Sequence, residues 1–124
     1  MPLCRKLKSM LFMSSLILSG CESARQNVPD SHTQRQQLAA LIASANWLRD
    51  HCHRLDIPAE PRVIAHALAQ AEKKGWMMKN INQQKLQQDI RARYLAIRDD
   101  EMTPVNKCGA LNRASAPFLQ GINR

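Results

Sequence analysis

The 124-residue sequence has no long hydrophobic run. Its most apolar stretch, Met10–Leu18, is nine residues with two serines, and a membrane-spanning helix needs about 20. There is no glycine-rich phosphate loop and no serine–histidine pairing in a recognisable motif. Acidic groups are scarce, 10 against 18 lysines and arginines, and they fall at expected helix ends and surfaces, where capping explains them. His51-Cys52-His53 resembles a metal site at first glance. On a helix, residues one and two apart point roughly 100° and 200° away from each other, so the three cannot meet on one ion; His32 and His66 are isolated. These absences argue against an enzyme, and no catalytic residue, metal, cofactor or small-molecule substrate is expected. No alternating strand pattern, repeat or low-complexity run is present either, which removes β and solenoid architectures.

What is present begins at the N-terminus. Arg5-Lys6-Leu7-Lys8 precedes the short apolar run, and small residues precede a polar boundary, the pattern of a secretory signal peptide over residues 1–20. The boundary, Leu18-Ser19-Gly20-Cys21, resembles a bacterial lipobox. That resemblance implies cleavage before Cys21, a diacylglyceryl group on its thiol and acylation of the new amine. One acyl chain holds a protein only marginally, so three make a durable anchor. Glu22 is not the Asp that tends to retain such lipoproteins at the inner membrane, so the outer membrane is the default destination, with the domain facing the periplasm.

The remaining 104 residues make one small domain. Removing Arg5, Lys6 and Lys8 lowers the net charge from +8 to +5. A basic chain fits nucleic acid, an anionic membrane or an acidic protein. The periplasm offers little nucleic acid, and no zinc-finger, RNA-binding or basic-helix motif occurs, so nucleic acid is not an expected partner. With Cys4 discarded and Cys21 consumed by lipid, Cys52 and Cys108 remain. In an oxidising compartment they most simply pair, and closing the loop between them is worth roughly 4 kcal/mol in chain entropy. Two free buried thiols are the alternative.

Residues 21–33 read as a flexible tether and 34–119 as an all-α, four-helix domain. Leu38, Leu41, Ala45, Leu48, Cys52 and Leu55 recur on one face of a first helix, which Asp56-Ile57-Pro58 ends. Pro61 opens a second helix with Val63, Ile64, Ala67, Leu68 and Ala71 inward, and Gly75 fits its left-handed cap with Trp76 folded back. Asn80 or Asn82 caps a third, with Leu86, Ile90, Tyr94 and Ile97 inward. Asp99-Asp100-Glu101 suits the approach to the next helix, opened by Thr103-Pro104 with Val105, Cys108 and Leu111 inward, and Pro117-Phe118-Leu119 is a tail packing back. Some apolar residues lie off these core faces. Ala40, Ala43 and Trp47 fall roughly 130–150° from the first helix's core face, and Ala92 and Leu95 lie nearly opposite Ile90. They fit a shallow groove for a partner's amphipathic helix, unless neighbouring helices bury both faces.

The lipobox together with the blocks "NWLRDHCHRLDIP", "HALAQAEKKGW" (His66–Trp76) and "MTPVNKC" (Met102–Cys108) resembles the PulS/OutS family of type II secretion system pilotins, in the same order from about Gln34 to Leu119. The resemblance implies a four-helix fold with a Cys52–Cys108 disulfide. It further implies an outer-membrane lipoprotein, without catalysis, that binds the C-terminal segment of a secretin as a helix folded on binding and delivers it to the outer membrane. It does not name the groove residues; Ala40, Ala43, Trp47, Ala92 and Leu95 come from the helical faces alone. The competing reading is a structural envelope lipoprotein whose basic surface rests on phospholipid, with no secretin partner.

Overall fold

A computed structural model describes residues 28–124; the signal peptide, Cys21 and most of the tether lie outside the described residues. Four helices follow in order: α1 (Ser31–His51), α2 (Glu60–Lys73), α3 (Gln83–Asp99) and α4 (Pro104–Leu119), with a 3₁₀ turn at Met78–Asn80. Each start has a local cause, which for α2 is Pro61 in its first turn, with no side-chain cap. Asp30 caps α1 by accepting the Thr33 amide at 2.8 Å, Asn82 caps α3 through the Lys85 amide, and Thr103 caps α4 through the Asn106 amide, with Pro104 following. At the end of α2, Gly75 takes φ 89°. The Trp76 amide reaches the Ala71 carbonyl and the Gly75 amide that of Glu72, which completes the motif expected there.

α1 is the hub. α2, α3 and α4 each pack principally on it, and α3 and α4 share no comparable contact. Ile42, Ala43, Ala45 and Leu48 are fully buried, and Val63, Leu86 and Ile90 meet them from α2 and α3. Cys52 and Cys108 are joined, with Cα atoms 5.8 Å apart.

Three details depart from expectation. α1 stops at His51, four residues before the proposed terminator, because His53 turns left-handed at φ 58° and the Arg54 amide returns to the Leu48 carbonyl. Leu55 is thereby thrown outward, 86% exposed. Val105 is 80% exposed rather than inward: Cys108 already reaches the residue just past α1, so the turn before it has no helix to lie on. The Pro117-Phe118-Leu119 segment is the last turn of α4 rather than a separate tail, with Phe118 and Leu119 buried. The packed region also passes both ends of 34–119, since α1 begins at Ser31 and Ile122 is buried.

Candidate functional site

α3 lies on α1 with an open crevice along each flank, and the two differ in chemistry. The wider, about 670 Å³, runs between α1, α3 and the start of α2. Its polar groups on α1, with Glu60 and Tyr94, are already paired, whereas Gln87, Gln88 and Arg91 face solvent. The Asn46 amide donates to Glu60 at 2.8 Å, and the Arg49 guanidinium donates to Asn46 Oδ1 and to the Pro58 carbonyl. The Tyr94 hydroxyl donates to Asp50 at 2.8 Å, leaving its oxygen to face Nε2 of His51 at 3.1 Å. Burial, then the hydrogen bond and charge of Asp50, push the Tyr94 hydroxyl pKa up to about 12.

The narrower crevice, about 250 Å³, is lined by Gln36, Asp89, Ala92, Arg93 and Ala96. One turn along α1 from Gln36 sits half-buried Ala40, and then half-buried Ser44. Arg35 pairs with Asp89 beside it and ties α1 to α3 there. The exposed strip of α1 persists because α3 and α4 both rest on α1 without closing on each other. Ala92 and Ala96 on α3, with Ala40 one turn beyond Gln36 on α1, leave room for close backbone approach between the flanking Gln36, Asp89 and Arg93.

The five groove residues expected from helical faces therefore separate. Ala92 lines the narrow crevice with Ala40 one turn from Gln36, whereas Leu95 lines the wide one. Ala43 is 0% exposed and Trp47 9%, so neither offers a surface. The indole is stacked on His51 at 3.9 Å and against Tyr94 at 5.1 Å, with the Lys107 ammonium 5.1 Å from its centroid. Trp47 is core, not groove. Its face is covered because α1 occupies the centre of the domain and has neighbours on both of its apolar sides. Ala96 escaped the sequence reading, although Ala92 and Ala96, four apart on an otherwise polar face, were its visible signal.

Nothing in this geometry assembles a reactive centre. His51 and His53 are exposed and diverge on either side of oxidised Cys52, and among the described residues no three His, Cys, Asp or Glu side chains converge on a metal position. No helix among them is long and apolar enough to cross a membrane.

Comparison with known proteins gives this arrangement its context. The chain is 31% identical to the pullulanase secretion protein PulS of Klebsiella pneumoniae over 89% of its length and 90% of the relative's. It is 29% identical to pilotin OutS of Dickeya dadantii, over 94% and 93% of the two chains. Among solved structures it matches a chain of the Klebsiella pneumoniae type II secretion system outer membrane complex of PulD, PulS and the PulC HR domain. That match has a TM-score of 0.71 and 27% identity over 77% of this chain and all of the other. It also matches a pilotin/secretin peptide complex, with a TM-score of 0.70 and 32% identity over 77% of this chain and 97% of the other. The family model for the type II secretion system pilotin lipoprotein (PulS_OutS) spans residues 15–120, and the chain belongs to that family.

Proposed function

We propose that this chain is an outer-membrane pilotin that binds the C-terminal segment of a type II secretion secretin and carries it to the outer membrane for assembly. The observation behind this reading is the likeness, over nearly the whole described domain, to the chain of a pilotin/secretin peptide complex. Residues 1–20 serve as the signal peptide, Cys21 carries the lipid, and the domain faces the periplasm on a tether from residue 21. The lipid turns binding into transport: whatever the domain holds travels with it. In that role it acts as a chaperone rather than an enzyme.

We place the secretin segment in the narrow crevice over Ala40, Ala92 and Ala96. A peptide that lacks apolar partners alone gains them there by folding as an amphipathic helix, which offsets its ordering entropy. Coupled folding costs about 2–5 kcal/mol of the gross interaction, so useful rather than extreme affinity is expected. The wide crevice is the poorer site. Gln87, Gln88 and Arg91 on its rim turn to solvent, and an apolar face laid over them would strand polar groups at about 1–3 kcal/mol each.

Titrating the protein with a synthetic C-terminal peptide of the secretin from the same organism, followed by calorimetry and circular dichroism, tests this. Binding should be accompanied by a gain of helix beyond the sum of the components. Absence of binding to any secretin tail of that organism would overturn the assignment.

A further inference from the structure

The end of the domain where the chain enters carries a set of charges that secretin binding does not use. Val28 and Pro29 lie against the α2–α3 connection, forming a shallow depression with Ser31, Gly75, Met77 and Asn80. The contact is fixed, because the Gln34 side-chain amide donates to the Pro29 carbonyl at 2.8 Å. That connection and its flanks hold Lys73, Lys74, Lys79 and Lys85, all exposed. None of the four is ion-paired among the described residues, whose ion pairs all use arginines. The nearby carboxylates are Glu72, Asp30 and, one turn along α3 from Lys85, Asp89; Asp30 is engaged as the α1 cap and Asp89 is paired with Arg35. Apolar tips protrude among the lysines: Met77 is 51% exposed and Val28 58%. Lys74 also rests 5.4 Å from the centroid of half-buried Trp76. The far end of α3, about 21 Å from Lys85 at 1.5 Å rise per residue, leads into exposed Asp99, Asp100 and Glu101, of which Asp99 is paired with Arg98.

We propose that this lysine-rich end is a second membrane contact, docking on the anionic phospholipid headgroups of the leaflet that holds the lipid anchor. The proposal rests on acylated Cys21 in the reading above. Val28 is seven Cα steps from Cys21, a reach of at most about 25 Å, so the entry end is held closest to the headgroups. Lysines there meet a negative surface, Met77 and Val28 enter the interface, and the acidic end is repelled outward. This orientation fixes how the crevice is presented: α1 stands away from the membrane, with its open strip facing the periplasm along its length.

The test uses the mature lipoprotein reconstituted in vesicles of phosphatidylcholine or of phosphatidylethanolamine with phosphatidylglycerol, each carrying a headgroup quencher. Trp76 reports contact. Trp47, buried and more than ten residues along α1 from the entry end, is the internal reference. Quenching should be roughly twofold or more greater on the anionic vesicles, and should fall to the neutral level in high salt, where the Debye length shrinks to about 3 Å. It should be lost in Trp76→Phe. Replacing Lys73, Lys74, Lys79 and Lys85 together by Gln should bring it to the neutral level while secretin-peptide binding stays unchanged. Equal quenching on both vesicles, or no response to the lysine replacements, would overturn the proposal. Failure of the lipoprotein to float with neutral vesicles would instead overturn the anchor, and this docking with it.

Discussion

The two halves of α1 are held by different means, and the difference separates stability from function. The C-terminal half is locked by packing and a covalent bond: Leu48 is fully buried, Trp47 is stacked between His51 and Tyr94, and the disulfide fastens the residue just beyond the helix to α4. The N-terminal half is held by a cap, a bond from Gln34 to Pro29 and the Arg35–Asp89 pair, and its strip at Gln36 and Ala40 stays partly open. One half makes the domain rigid, and the other leaves surface for a partner. Changes in the first half should therefore cost folding without discriminating among ligands, and changes in the second should cost binding at little expense to folding.

The largest break in that division is Trp47→Ala. Removing a buried indole that also carries two aromatic contacts should cost about 3–5 kcal/mol, read as a lower denaturant midpoint with unchanged slope. Secretin-peptide affinity measured on the remaining folded fraction should stay near wild type. A stable variant with weakened binding would place Trp47 at the interface after all. Replacing Cys52 and Cys108 together by Ala comes next. A disulfide typically contributes about 2–4 kcal/mol, and the chain-entropy figure for a loop this long lies at the upper end of that range; thermal unfolding of the variant beside the oxidised wild type measures it.

These two changes also show what the sequence could and could not reveal. The cap at Thr103, the cap at Asn82 (one of two candidates with Asn80) and the glycine turn at Gly75 with Trp76 behind it follow from rules that act over a few residues, so they were readable. The pairing of Cys52 with Cys108, 56 residues apart, was readable because an oxidising compartment left only those two thiols to join. The fate of Trp47 and Ala43 was not. A helical wheel finds apolar faces but cannot say how many neighbours cover them, and it took the hub position of α1 to bury two. The end of α1 was hidden for another reason: it rests on a histidine in a left-handed conformation, where glycine or asparagine would have signalled the turn. With that end displaced, Leu55 moved from expected core to solvent.

The open half is broken more gently. Ala92→Arg places a long charged side chain in the narrow crevice. It should weaken secretin-peptide binding by more than about 1 kcal/mol, the level at which an interface position counts as energetically important, with little change in thermal stability because Ala92 is exposed. Leu95→Arg, three residues along the same helix but lining the wide crevice, is the matched control and should bind normally. If the two effects are reversed, the wide crevice is the docking site and the polar network on its floor must rearrange on binding.

The smallest effect lies at the first turn of α1 and depends on pH. The hydrogen bond from the Thr33 amide holds the Asp30 carboxyl below its usual 3.8. A carboxylate with a depressed folded-state pKa contributes fully above its unfolded value, and that contribution disappears as pH falls through the lower folded value. Acidification below 3.8 should therefore loosen the first turn of α1 while the disulfide-locked end, which has no titrating cap, keeps its structure. Hydrogen exchange at Thr33 and Gln34 should speed up in that range, and amides around Leu48 should stay protected until global unfolding. Asp30→Asn separates the charge from the cap. Asparagine caps about as well and does not titrate, so the acid response of the first turn should vanish while the helix start remains. If Asp30→Asn frays that turn at neutral pH, the charge rather than the hydrogen bond holds the entry end, and the N-terminal half of α1 is weaker than its geometry implies.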